Sequence, residues 1–176
     1  SPYQFAGNSP IIFVDNDGNE LELVGTSPKE RRLFESILNS AFAGKITAKV
    51  SDNGIVTLIG DPSKLTNGAK ELYNALNTVV TDEQKTRLYV VQDKDRARVG
   101  VGKFRAAGDG KGQMNAVDLY DMEKMHGAGK VFTKQGLLIH EIWETFKDQK
   151  TAQKGDPLKE FTDSHNAGSE KQSLVD

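Results

Sequence analysis

The segment from Thr133 to about Lys150 places the strongest constraint on how this chain can fold. Apolar residues recur through it at helical spacing, and Thr133 stands where a helix N-cap is expected. The polar side chains of His140, Glu141 and Glu144 interrupt this apolar run. Burying them would cost stability unless each finds a partner. The segment therefore predicts a packed helix whose polar residues need partners. Its apolar positions are Leu137, Leu138, Ile139, Ile142, Trp143 and Phe146.

Length and composition predict one ordinary soluble domain. The chain has 176 residues, and domains typically have about 100–200. It has no cysteine, which excludes a disulfide scaffold, a cysteine zinc finger, an iron–sulfur site and a thiol nucleophile. Its formal net charge of −2 argues against a broad electrostatic grip on nucleic acid or on an anionic membrane. No apolar run approaches the ~20 residues of a membrane span, and the first residues do not have the pattern of a signal peptide.

The remaining patterns predict an α+β fold, with a small, mostly antiparallel sheet and about four helices. Ser27 and Glu30 form a capping-box pattern around Pro28, which predicts a helix to about Ala43. Asp52-Asn53-Gly54 predicts a hairpin turn. The other predicted helices span Asn67–Val79 and roughly Pro157–Ser173. The predicted strands are Ile11–Val14, Leu21–Val24, Ile46–Val50, Ile55–Ile59, Leu88–Gln92, Arg96–Phe104 and Ala116–Leu119.

The spacing of His140 and Glu144 predicts a metal site. Residues four apart lie on one face of a helix about one turn from each other, so both side chains can point at a single cation. Glu141 is turned about 100° around the helix axis, toward the open side of such a cation. This is the geometry of H-E-x-x-H zinc peptidases, with a carboxylate in place of the second histidine.

A third ligand has to come from another part of the chain. The sequence has three histidines, and His165 lies in the helix predicted to follow and fold back over the first. His165 is therefore the expected third ligand, which is the arrangement of zincins. Glu170 is a lesser candidate, either as a ligand or as a hydrogen-bond partner of one of the histidines.

The first eighteen residues resemble the end of the core domain of RHS-repeat proteins, in which a similar segment closes the repeat shell. Asn16 stands where that family has a proline between two aspartates. The resemblance implies that residues 1–24 are the end of an RHS core or a linker, and that residues 25–176 are the variable C-terminal toxin domain. The matching positions are Pro2, Tyr3, Ala6, Gly7, Asn8, Pro10, Phe13, Val14, Asp15, Asp17 and Gly18.

The segment Leu137–Glu170 is similar to the metallopeptidase-like toxin domains found at the C-termini of RHS proteins. That resemblance implies that His140, Glu144 and His165 are Zn²⁺ ligands and that Glu141 is the general base. It also implies a secreted protein that a bacterial secretion system delivers into a target cell, an RHS carrier shell, and an immunity protein. The substrate would be a protein or a peptide, with no nucleic acid or membrane span involved. The candidates for an added electrophile are Tyr120, Arg105 and His126.

Two other interpretations remain open from the sequence. The same four residues, His140, Glu141, Glu144 and His165, could be acid and base groups of a metal-free hydrolase such as a nuclease toxin. The near-neutral charge weighs against a nuclease, because nucleases usually present a basic cleft. Alternatively, the domain is a binding module whose metal, if it holds one, is structural.

Overall fold

The computed structural model describes residues 20–94, 102–106, 113–124, 133–151 and 157–176. The predicted strand Ile11–Val14 and the whole RHS-like segment lie outside these residues, as does His126. The described strands are β1 (Leu21–Val24), β2 (Ile46–Val50), β3 (Val56–Gly60), β4 (Thr86–Val90), β5 (Gly102–Ala106) and β6 (Gln113–Val117). The described α-helices are α1 (Pro28–Phe42), α2 (Asn67–Thr81), α3 (Leu119–Lys124), α4 (Lys134–Thr151) and α5 (Pro157–Val175).

The predicted α+β class is confirmed, but the strands of the larger sheet run mostly in one direction. This four-stranded sheet has the order β1-β4-β6-β5; the β1–β4 and β4–β6 pairs are parallel, and the β5–β6 pair is antiparallel. The hairpin β2–β3 forms a separate antiparallel pair. Helices α1 and α2 and the hairpin lie between β1 and β4 in the chain, which provides the long crossover that parallel neighbours need. Alternating apolar residues cannot show strand direction, so the expected mostly antiparallel arrangement was wrong for this sheet.

Strand β1 belongs to the folded unit, although it lies within the segment 1–24 predicted to be carrier or linker. It pairs with β4 in register from Leu21↔Thr86 to Val24↔Tyr89, and Leu21 and Leu23 are buried. The hairpin turn also contacts it, because the Leu23 N–H donates to the Gly54 carbonyl at 2.8 Å. Gly54 has φ +84°, and a Cβ there would lie 2.3 Å from the Leu23 carbonyl oxygen. Glycine is therefore required at this turn.

Helix α4 is buried around almost its whole circumference because it lies between the sheet and α5. It contacts β4 and β6 on one side, and its most extensive contacts are with α5 on the other. Leu138, Ile139, Ile142 and Phe146 enter the core. No helix in the described part of the chain is both long and apolar enough to cross a membrane. The burial of α4 explains how His140 and Glu144 are also removed from solvent.

The predicted capping box of α1 is present and extends to a third residue. The Ser27 hydroxyl and N–H both donate to Glu30 Oε2, the N–H at 2.9 Å, and the Tyr120 hydroxyl donates to Glu30 Oε1 at 2.6 Å. Burial alone would raise the pKa of Glu30, but these hydrogen bonds lower it from 4.5 to about 2. The first turn of α1 is thus joined to α3 through a buried carboxylate.

We expect Glu30→Gln to destabilise the protein by about 3 kcal/mol at neutral pH, since the pKa is lowered by about 2.5 units at roughly 1.4 kcal/mol each. Because the folded-state pKa is the lower one, this contribution is present above pH 4.5. It is lost as the pH falls toward 2. Urea unfolding of the wild type and of Glu30→Gln across this range measures it: the difference in stability should shrink as the solution becomes more acidic. A difference that is independent of pH would contradict the assignment.

Candidate metal centre

Helices α4 and α5 lie antiparallel, as the sequence predicts for the helix pair that carries the site. At one end, the Asp176 carboxylate accepts hydrogen bonds from the Thr133 N–H at 2.9 Å and from its hydroxyl at 2.6 Å. Thr133 in turn caps α4 by accepting from the Gly136 N–H at 2.9 Å. Further along the pair, His165 of α5 lies beside Glu144 of α4. This pairing brings residues that are about twenty positions apart in the chain to one point.

The side chains of His140, Glu144 and His165 converge at that point. His140 Nε2 and His165 Nδ1 each lie 3.0 Å from the same oxygen, Glu144 Oε2. The two imidazole rings meet edge to face, with centroids 4.9 Å apart. One ligand atom from each of the three residues lies within 4.8 Å of the others, and this is the only such group among the described residues. The arrangement could hold a metal ion.

The two His–Glu144 separations suit a small divalent cation. With bonds of about 2.0–2.1 Å, neighbouring ligands of a tetrahedral ion are separated by roughly 3.3 Å. The two observed separations of 3.0 Å are close to that value. His140 and Glu144 are buried, whereas the His165 side chain is 49 % exposed. A cation bound here would therefore face solvent on the His165 side, where a substrate could approach.

Interactions within the group shift the pKa values of His140 and Glu144 in opposite directions. Burial acts to lower the pKa of His140, but its hydrogen bond with Glu144 and the charges of Glu141 and Glu144 raise it overall. Burial acts to raise the pKa of Glu144, but hydrogen bonds with the two histidines lower it overall. Glu144 is therefore an anion at neutral pH and is held between two imidazoles. An anionic carboxylate with two imidazole nitrogens is a donor set that catalytic zinc sites use.

Glu141 lies beside this group but outside it, as its position on the helix predicts. Its Oε2 accepts a hydrogen bond at 3.1 Å from the Asn115 side chain on β6. Burial and the neighbouring negative charge of Glu144 raise the pKa of Glu141 to about 7. A carboxylate with a pKa near neutrality can both accept and return a proton, which is the property of a general base.

Gly168 allows α5 to approach the group closely. A Cβ at this position would lie 2.8 Å from the His140 carbonyl oxygen and 3.3 Å from both the Glu144 Cβ and the His140 Cδ2 atoms. Because a backbone atom is the nearest neighbour, the contact cannot be relieved by a side-chain rotation alone. The helix that carries His165 would have to move away from α4.

We expect Gly168→Ala to destabilise the protein by about 1 kcal/mol, the mid-range overpacking cost less the gain in helix propensity. The overpacking cost of roughly 1–3 kcal/mol outweighs the gain of about 1 kcal/mol from a better helix former. The matched control is Asn166→Ala, at an exposed position of α5, which should be neutral or stabilising. Thermal unfolding of both variants measures the effect. A Gly168→Ala protein as stable as Asn166→Ala would show that the close approach is not needed.

The other residues predicted for the site lie elsewhere or outside the described chain. Glu170 is exposed on α5 and does not join the group. Tyr120 donates its hydroxyl to Glu30. Arg105 pairs with Met114 in the β5–β6 ladder, and His126 lies outside the described residues. The roles of Tyr120, Arg105 and His126 as electrophiles remain predictions.

Two residues of the site were not predicted from the sequence. Asn115 is buried on β6 and binds Glu141, and Gln172 is buried on α5 next to His140. His165, Gly168 and Gln172 are spaced at i, i+3 and i+7, which places them on one face of α5. This spacing could have predicted from the sequence that Gln172 lies on the side of the helix that faces the site. No comparable pattern distinguishes Asn115 from any other strand residue.

Comparison with known proteins gives this chain no family. No protein-family model matches it, and neither a curated protein nor a solved structure is significantly similar to it. The geometry of the His140–Glu144–His165 group is therefore the basis for assigning a function.

Proposed function

We propose that this chain is a zinc-dependent peptidase domain that acts as a secreted bacterial toxin. The observation that carries the proposal is the convergence of His140, Glu144 and His165 with Glu141 next to them. Two imidazoles and one carboxylate favour Zn²⁺ over Mg²⁺ or Ca²⁺, which prefer sites made of oxygen ligands. The chain has no cysteine, so a zinc site in it would use nitrogen and oxygen ligands, as this group offers.

Different residues of the chain would have different roles in hydrolysis. When bound, Zn²⁺ would supply Lewis acidity, which polarises a carbonyl and lowers the pKa of water toward ~7. Glu141 would accept the proton of the attacking water and transfer it to the leaving amine nitrogen. Asn115 would orient the Glu141 carboxylate through the 3.1 Å hydrogen bond that it already makes. The half-exposed His165 side marks the direction from which a peptide would enter.

The biological setting of the proposal rests on the resemblances of the sequence. The RHS-like first residues support delivery inside a carrier shell by a bacterial secretion system, with action on a protein or peptide in a target cell. The same resemblance supports a dedicated immunity protein in the producing cell. The formal net charge of −2 agrees with a substrate that is not nucleic acid.

Metal content and hydrolysis, measured on the same purified chain, test the proposal. We expect elemental analysis to give about one zinc per chain, and hydrolysis of a mixed library of internally quenched peptides. A chelator should abolish the hydrolysis, and added Zn²⁺ should restore it. A metal-free chain that cleaves DNA or RNA would support the metal-free hydrolase instead. A zinc-loaded chain with no hydrolytic activity toward any of these substrates would support a binding module.

A further inference from the structure

Two buried polar atoms next to the candidate metal centre lack hydrogen-bond partners among the described residues. One is His140 Nδ1, the ring nitrogen opposite the Nε2 that faces Glu144, and the other is Gln172 Nε2. An unpaired buried polar group lowers stability, so two of them close to the candidate metal centre are unusual. The pair suggests that the structure around His140 is arranged for a further interaction.

The two residues face each other across the α4–α5 contact. Gly168 lies against both the backbone and the ring of His140, and Gln172 follows Gly168 by one helical turn on the same face of α5. Gln172 is buried on that face, and its side chain is close enough to His140 to interact with it.

We propose that Gln172 is a positioning residue that accepts a hydrogen bond from the His140 Nδ1–H when Nε2 binds the metal. This inference rests on the proposed function. A neutral imidazole carries one N–H, and Nε2 can bind a cation only when that hydrogen is on Nδ1. Burial leaves Nδ1 no water to donate to, and the Gln172 carbonyl oxygen supplies the acceptor. The hydrogen bond selects the tautomer and fixes the ring orientation, as partners of metal-bound histidines generally do.

Gln172→Met tests this proposal because it keeps the length of the side chain and removes the acceptor. We expect its affinity for Zn²⁺, measured by competition with a chelator, to fall by about 10–100-fold. In the Zn²⁺-loaded wild type, ¹H–¹⁵N NMR should detect a hydrogen-bonded, slowly exchanging Nδ1–H proton on His140, and this signal should be lost in the variant. Gln172→Glu restores an acceptor and should bring the affinity back to within about threefold of the wild type.

Gln149→Met is the matched control. Gln149 is also a glutamine of the helix pair, but its side chain hydrogen bonds to the Arg87 backbone N–H and carbonyl at 2.9 and 2.8 Å. Its replacement should lower stability and leave both the Zn²⁺ affinity and the Nδ1–H signal unchanged. A purely structural role for Gln172 predicts the same behaviour for the two methionine variants.

The outcomes distinguish a failure of the role proposed for Gln172 from a failure of the proposed zinc-peptidase function. A wild-type chain that binds no Zn²⁺ overturns both proposals. A wild-type chain that binds Zn²⁺, with Gln172→Met within twofold of its affinity, overturns only the role of Gln172. If Gln172→Met does not fold, Gln172→Glu provides the test. A carboxylate acceptor should move the ¹H chemical shift of the His140 Nδ1–H downfield. An unchanged chemical shift would overturn the proposal.

Discussion

Glu141→Gln is expected to lower peptide hydrolysis by about 10²–10⁴-fold, the range for loss of a general base. The amide has nearly the shape of the carboxylate but cannot accept the proton of the attacking water. Glu141 is not one of the three converging residues, so zinc content should stay at the wild-type value. The measurement is the hydrolysis rate of an internally quenched peptide, with zinc determined on the same samples.

Glu170→Gln is the control for this result, because it makes the same chemical change at an exposed position of α5. It should leave both the rate and the zinc content unchanged. If Glu141→Gln retained more than a tenth of the wild-type rate, Glu141 would not be the base. The raised pKa of Glu141 would then reflect only its burial and the neighbouring charge of Glu144.

Glu144→Gln should abolish metal binding, whereas Glu141→Gln should lower only the rate of hydrolysis. Glu144 Oε2 is the atom to which both histidine nitrogens lie close, and it carries the negative charge of the group. A neutral amide oxygen is a much weaker ligand for a divalent cation. We therefore expect Zn²⁺ affinity to fall by roughly 100-fold or more. Isothermal titration of the metal-free proteins measures this loss.

The comparison with Glu141→Gln makes the test specific. The two variants change the same kind of side chain three positions apart on α4, yet one should lose metal binding and the other should lose only the rate. If Glu144→Gln bound Zn²⁺ as tightly as the wild type, the His140–Glu144–His165 group would not be the metal site. The zinc-peptidase proposal would then have no support in the geometry.

Local sequence patterns were sufficient to predict those helices and turns whose ends depend on interactions between neighbouring residues. The capping box at Ser27 and Glu30 and the cap at Thr133 are present where they were predicted. The hairpin turn at Gly54 is also present. Capping and turn formation involve residues only two to four positions apart, so a short stretch of sequence includes every group that takes part. The exception is α3, which begins after Asp118 caps the Tyr120 and Asp121 N–H groups, where the pattern favoured a strand through Leu119.

The candidate site likewise contains relations that the sequence predicts and relations that depend on how the helices pack. The helical repeat alone determines that His140 and Glu144 share a face and that Glu141 is turned away from them, because that relation is internal to one helix. The sequence could also nominate His165, since the chain offers few histidines. Whether its ring reaches Glu144 depends on how closely α5 packs on α4, which the contact of Gly168 with the His140 backbone decides.

Tertiary structure alone decided the parallel direction of β1, β4 and β6, the pairing of Asn115 with Glu141, and the position of Gln172 beside His140. Each of these depends on the packing of elements that are distant in the chain. A helical or strand period shows which face a residue occupies, but not which other element covers that face. The sequence by itself therefore determined the four long helices α1, α2, α4 and α5, the hairpin and the His140–Glu144 pair. The fold determined which side chains complete the site around them.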